Sequence, residues 1–376
     1  MRGRGWRGLG LFWALTLTVI GGGLAALQVL GPTANPIVSH TSAVAPPRPT
    51  LAEHAGSAPP AASSPAAPDP AGHEPGAQST GERRTPARQR PGSAVVGPVA
   101  APDPALLEPG PDPEAGMLPR IGADQRTPSQ VYASGFTDTT GRPRIGLILA
   151  GIGMNEAESA QAIASLPAGL TLAVSPYATP NPTLLDQARR KGHELLLAIP
   201  MEPMGFPLND PGERALLTSA TPEQNKRNLE WALGRFAGYA GTTAALGGQL
   251  NGERFPMLAE QMRPVLSNLA ARGLFYVGAR ITARPGTPGG QPVFPYAWNR
   301  SIDLVLDDPA DAASLEAKLT ALEGIARDKG SAIGLVGMAS PIVLERLAAW
   351  TNGLGGRGFV LAPASALMLP PGEAPE

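Results

Sequence analysis

A handful of side chains in the second half of the sequence have the types and spacing to do chemistry. Glu202 follows Met201 in Ile199-Pro200-Met201-Glu202-Pro203, Arg280 ends Gly278-Ala279-Arg280, and Asp303 and Asp307 lie four residues apart with Asp308 next in line. Carboxylates gathered without imidazole or thiolate are hard oxygen donors, suited to magnesium, calcium or manganese rather than zinc. Tyr177, in Pro176-Tyr177, and Met201 complete a set of candidate crevice residues. Helix capping competes for the aspartates, because Asp307 and Asp308 precede Pro309 and a helical pattern.

Other chemistries are missing their parts. The chain has no cysteine, which removes disulfides, thiolate metal sites and a cysteine nucleophile together. His193 is the one histidine beyond residue 142, so neither a histidine-based zinc triad nor a serine triad with a histidine base can be assembled there. It stands at the junction of a helix and a strand, where a structural role is expected. Gly151-Ile152-Gly153 has neither the glycine spacing of a dinucleotide loop nor the lysine of a phosphate loop. A net charge of -1 argues against nucleic acid as a partner. No cofactor and no metal ligand set is expected.

The elements that must position these residues alternate regularly. Short apolar runs at 144–150, 170–174, 195–199, 242–246, 274–278, 302–306, 332–336 and 359–361 read as strands buried on both faces. Between most of them lie helical patterns with start signals: Asn155 with Glu158, Thr221-Pro222 with Gln224, and Ser340-Pro341. Alternation of this kind gives parallel β/α units, and seven or eight of them suit a closed or nearly closed barrel better than an open sheet, with a doubly wound sheet as the alternative. In a barrel, function gathers at the carboxyl ends of the strands, where Tyr177, Met201, Glu202, Arg280 and Asp307 fall.

The first third of the chain reads differently. Arg2, Arg4 and Arg7 (within residues 1–8) precede an uncharged apolar run at 9–30, long enough to cross a bilayer, which takes roughly 20 residues. A cleaved signal peptide is the competing reading, with Gly23 and Ala25 as small residues near a cleavage site. Either one exports the rest of the chain, and the anchor reading places the protein in an inner membrane with its folded part in the periplasm. Residues 31–142 are dominated by Pro, Ala, Gly and Ser, predicting a disordered linker. The folded domain is expected at 143–369, with a tail at 370–376.

Several stretches within that domain resemble the divergent polysaccharide deacetylase family, a NodB-like branch of carbohydrate deacetylases. They are Leu170-Thr-Leu-Ala-Val-Ser-Pro-Tyr177, Gly192-His-Glu194, Ile199-Pro-Met-Glu-Pro203, Arg272-Gly-Leu-Phe-Tyr-Val277, Arg280-Ile-Thr282, Ile302-Asp-Leu-Val-Leu-Asp307 and Ala332-Ile-Gly-Leu-Val-Gly337. The resemblance implies a distorted barrel and a metal-dependent hydrolase acting on acetylated sugars. It also implies ligands that this chain lacks. An Asp-Asp pair is expected where Ala150-Gly151 stands, histidines at Ala198, Gln249 and about Met338, and an aspartate at Gly278. The expectation is therefore a membrane-tethered deacetylase-like domain without catalytic residues, serving an envelope glycan or an envelope protein. The alternative is a working deacetylase whose site has moved to Glu202, Asp303, Asp307 or Asp308.

Overall fold

Buried parallel strands need continuous apolar runs, and this chain provides them in order. The computed structural model describes residues 94–178, 181–244, 254–278, 297–306, 312–337 and 340–370. The apolar run at 9–30, most of the linker, Arg280 and Asp307 lie outside them.

The expected linker is ordered from Ala94 onward, which moves the start of the folded domain nearly fifty residues upstream. This strap carries β1 (Ala94–Val95), a 3-10 turn (Pro104–Leu106), β2 (Leu107–Pro109), β3 (Met117–Pro119), the short helix α1 (Pro128–Val131) and β4 (Thr137–Asp138). β1 pairs antiparallel with β4, and β2 with β3. Its composition hid this order. Val99, Leu106, Leu118 and Tyr132 are each buried, but they are spaced by proline and glycine with no helical or strand period. Their burial is decided by contact with the barrel, not by local pattern.

The barrel comes next in the chain. Its strands are β5 (Arg144–Ile152), β6 (Thr171–Val174), β7 (Leu195–Ala198), β8 (Gly241–Thr243), β9 (Phe275–Gly278), β10 (Asn299–Ser301), β11 (Leu304–Val305), β12 (Ser331–Val336) and β13 (Val360–Leu361). The helices are α2 (Glu156–Ser165), α3 (Pro182–Lys191), α4 (Pro222–Leu233), α5 (Ala259–Ala271), α6 (Ala312–Lys329) and α7 (Pro341–Gly353). Side-chain caps from Asn155, Asn181, Thr221 and Ser340 start four of them, each satisfying a first-turn N–H that the helix cannot.

The sheet is parallel, ordered β10-β9-β8-β7-β6-β5-β12-β11, with β13 added to the first residues of β5. Its two edge strands, β10 and β11, are separated in sequence only by Ile302 and Asp303. One short stretch of chain therefore pairs first with β9 and then with β12. This is how the sheet curls, and it is why the run expected as one strand at 302–306 divides in two. Ile302 donates its N–H to the Gly278 carbonyl, while Asp303 donates to that of Ile333.

Alternation along the strands divides the apolar residues into two cores. Leu147, Leu172, Leu195, Leu197 and Tyr276 face the helices. Ile148, Ala173, Leu196, Phe275, Ile333 and Leu335 fill the interior of the curl. Val99, Leu106 and Tyr132 from the strap, with Ala364 and Leu367 from the tail, belong to that inner core and plug its amino-terminal end. The barrel thus has a plugged floor, and the carboxyl ends of its strands form the opposite end, the mouth, where the inward positions are themselves buried.

Candidate functional site

The mouth is built from inward positions near the strand ends. Ala150, Val277 and Leu335 belong to the inner core directly. Ser175, Ala198 and Thr243 lie two residues beyond the inward positions Ala173, Leu196 and Gly241, so they share that face. These six supply methyl groups and two hydroxyls. The Ser175 hydroxyl accepts the Tyr177 N–H at 3.3 Å.

The candidates from sequence reach other places. Glu202 is buried, 2% exposed, and its carboxylate is already engaged. Oε2 accepts from the Thr218 N–H at 2.6 Å and its hydroxyl at 2.8 Å, and Oε1 lies 3.1 Å from the Arg254 guanidinium. The Glu202 carbonyl accepts the N–H groups of Arg254 and Phe255. Glu202 therefore pins two loops together, the one before α4 and the one before α5. Met201 forms a parallel bridge with Leu216 and packs in the outer core, not in a crevice.

Tyr177 lies at the mouth rim, 36% exposed. Its ring is 5.4 Å from that of Trp231 and its hydroxyl accepts the Arg214 N–H. Burial of its ring pushes the phenol above its usual range. The guanidinium groups of Arg214 and Arg235 stand over Trp231 at 5.7 and 5.1 Å. Asp303 sits at the seam between β10 and β11. Its Oδ2 accepts the Ile333 N–H at 2.9 Å and lies 3.4 Å from Arg300, while Lys329 is 3.6 Å from Oδ1. Lys329 ends α6 just before β12 begins, so Asp303 works toward the floor. Glu202 and Asp303 therefore do not meet at the mouth.

His193 occupies the helix–strand joint. It is fully buried, Nδ1 lies 2.9 Å from the Leu170 carbonyl, and desolvation holds its pKa below the ordinary value. Beside it stands Glu194, which was not among the candidates from sequence. Its side chain faces the floor with no measurable exposure, accepting N–H bonds from Ser134 at 3.3 Å and Ser365 at 3.0 Å. Burial raises its pKa to about 7. A carboxylate opening an otherwise apolar strand was the available signal.

A hydrolytic divalent ion needs several carboxylate or imidazole donors converging on one point. Among the described residues no three such groups cluster. At Gly278, a β-carbon would run into the Tyr276 ring, so the expected aspartate has no room. Gly151 has a φ of 78°, a left-handed conformation that costs a side chain roughly 1 kcal/mol. Ala150 and Ala198 offer only methyl groups. The donors present at the described mouth positions do not fit such an ion.

A curled parallel β/α sheet of this order is a distorted barrel of the α/β class. The comparison with family models matches residues 147–368 to the divergent polysaccharide deacetylases, and the chain belongs to that family. Among solved structures, the crystal structure of the uncharacterized protein ATU2773 from Agrobacterium tumefaciens C58 is similar. It is 31% identical with a TM-score of 0.60, over 67% of this chain and 99% of that one. No curated protein matches the chain. Among the described residues no helix is long and apolar enough to cross a membrane.

Proposed function

We propose that this protein is a non-catalytic member of its family, a deacetylase-type barrel kept as a binding or scaffold domain in the cell envelope and tethered through its amino-terminal segment. One observation carries the reading: at the described positions where the family resemblance implies metal donors and a base, the chain has Ala150, Gly151, Ala198 and Gly278. Activation of water requires either a bound cation or a general base within hydrogen-bond reach, and these side chains supply neither. Glu202, a described carboxylate in the loop after β7, is held by Thr218 and Arg254 and serves the architecture of its loop.

The tether rests on the basic and apolar pattern of residues 1–30, and the envelope role on export together with the family. The test is acetate release from acetylated saccharides, run beside calorimetric titration with magnesium, calcium, manganese and zinc. Neither turnover nor stoichiometric ion binding is expected. Turnover abolished by Asp307→Asn, with ion binding, would establish instead the relocated carboxylate site.

A further inference from the structure

We propose that Glu194 is a proton-controlled latch that holds the amino-terminal strap and the carboxyl-terminal tail onto the barrel floor. It lies just before β7, at the centre of the sheet order, and it is the point where three separate parts of the chain meet. One carboxylate oxygen takes the Ser134 N–H of the strap, and the other takes the Ser365 N–H of the tail. The Ser365 side chain adds a further hydrogen bond, and the two segments plug the inner core through Tyr132 on one side and Ala364 and Leu367 on the other.

No cation balances the charge. Among the described residues no lysine, arginine or histidine forms an ion pair with Glu194. Of the groups packed nearby, Arg189 on α3 is committed to Asp186 and to the Ala237 and Gly238 carbonyls. Lys191 donates to the Ile163 and Ala164 carbonyls, and His193 projects to the opposite face of the strand toward Leu170. From the strap, the Tyr132 hydroxyl accepts the Asp103 N–H. The tail faces Glu194 with Ser365 alone.

Burial without a neighbouring cation penalises the anion, while the N–H groups of Ser134 and Ser365 and the Ser365 side chain favour it, and burial outweighs them. The anion can regain water only if the strap or the tail lifts. The tail is tied down further by Ala364 N–H on the Thr171 hydroxyl and by the paired bonds between Leu369 and Asn299. Ser134 holds Glu194 through its N–H alone, its buried hydroxyl having no partner among the described residues, whereas Ser365 contributes both its N–H and its side chain, so the strap near Ser134 yields first. The sign is fixed by linkage. A folded-state pKa raised from 4.5 to about 7 gives stability that is complete below about 4.5 and declines until pH passes about 7. Acid seals the floor, and neutral conditions loosen it.

Hydrogen exchange on the full chain, corrected for the intrinsic pH dependence, tests this. Amides at 132–136 should open separately from the sheet, with an opening constant rising about 100-fold between pH ~5 and ~7.5 and then levelling. Glu194→Gln, which mimics the neutral acid, should show a flat profile. The proposal is overturned by strap amides that exchange only together with the sheet, by a flat wild-type profile, or by an equally steep variant. Should the variant fail to fold, carboxyl NMR titration of the wild-type protein decides: a Glu194 midpoint near 7 supports the latch, and one near 4.5 ends it.

Discussion

Among the described residues, the mouth and the floor of this barrel differ in the side chains that face inward. At the mouth the described inward positions are methyl groups and hydroxyls, with Ala150 and Ala198 where donors were expected. Other buried ionisable groups among the described residues stand away from the mouth: Glu194 under the plug, His193 beside it, and the Arg300–Asp303–Lys329 group at the seam. Charge buried at a mouth can do chemistry on something that enters. Charge buried under a plug, with its partners drawn from the chain's own ends, acts on the fold.

Four measurements put that contrast at risk. The largest effect is expected at the seam. Asp303→Ala leaves Arg300 buried without its carboxylate and removes the acceptor of the Ile333 N–H, at a cost of about 3–5 kcal/mol in urea unfolding. A cost below about 1 kcal/mol, the range of an exposed pair, would mean that the seam does not close the sheet.

Next comes the floor. With the Glu194 pKa raised to about 7, the stability of the wild type relative to Glu194→Gln should fall by roughly 3 kcal/mol as pH rises from about 4.5 to 7; buried His193, whose pKa is lowered, contributes with the opposite sign but equally in both proteins. A difference that stays constant or increases over this range would remove the floor's half of the comparison.

Glu202→Gln should cost about 1–3 kcal/mol, since it weakens charge-assisted bonds to Thr218 and Arg254. Differential scanning calorimetry measures it, and a loss of saccharide turnover in the same variant would return Glu202 to the candidate site. The smallest effect belongs to the mouth. Millimolar divalent ions should leave the melting temperature unchanged, whereas a tight site would raise it.

Much of the fold was legible in the residues. The apolar runs and caps located α2, α3, α4 and α7 and seven of the barrel's strands within a few residues, because their periods and end signals are local. The seam was not legible, since Asn299-Arg300-Ser301 carries no strand pattern and becomes β10 only by pairing with β9. The strap was missed for a related reason. Its anchors are sparse, and a proline-rich stretch is indistinguishable from linker until a barrel floor exists for Tyr132 and Leu106 to enter. The candidate crevice was read from proximity in sequence to strand ends, which cannot say that Thr218 and Arg254 will reach Glu202 first.

Composition and motif by themselves determined the parallel β/α architecture, the family resemblance, and the missing ligand types at positions 150, 151, 198 and 278. Those are properties of residue type in a local frame. Only the tertiary structure decided which carboxylates are committed and which are poised. Burial and partner geometry are created by chain segments far apart in sequence, as when Ser134 and Ser365 meet at Glu194.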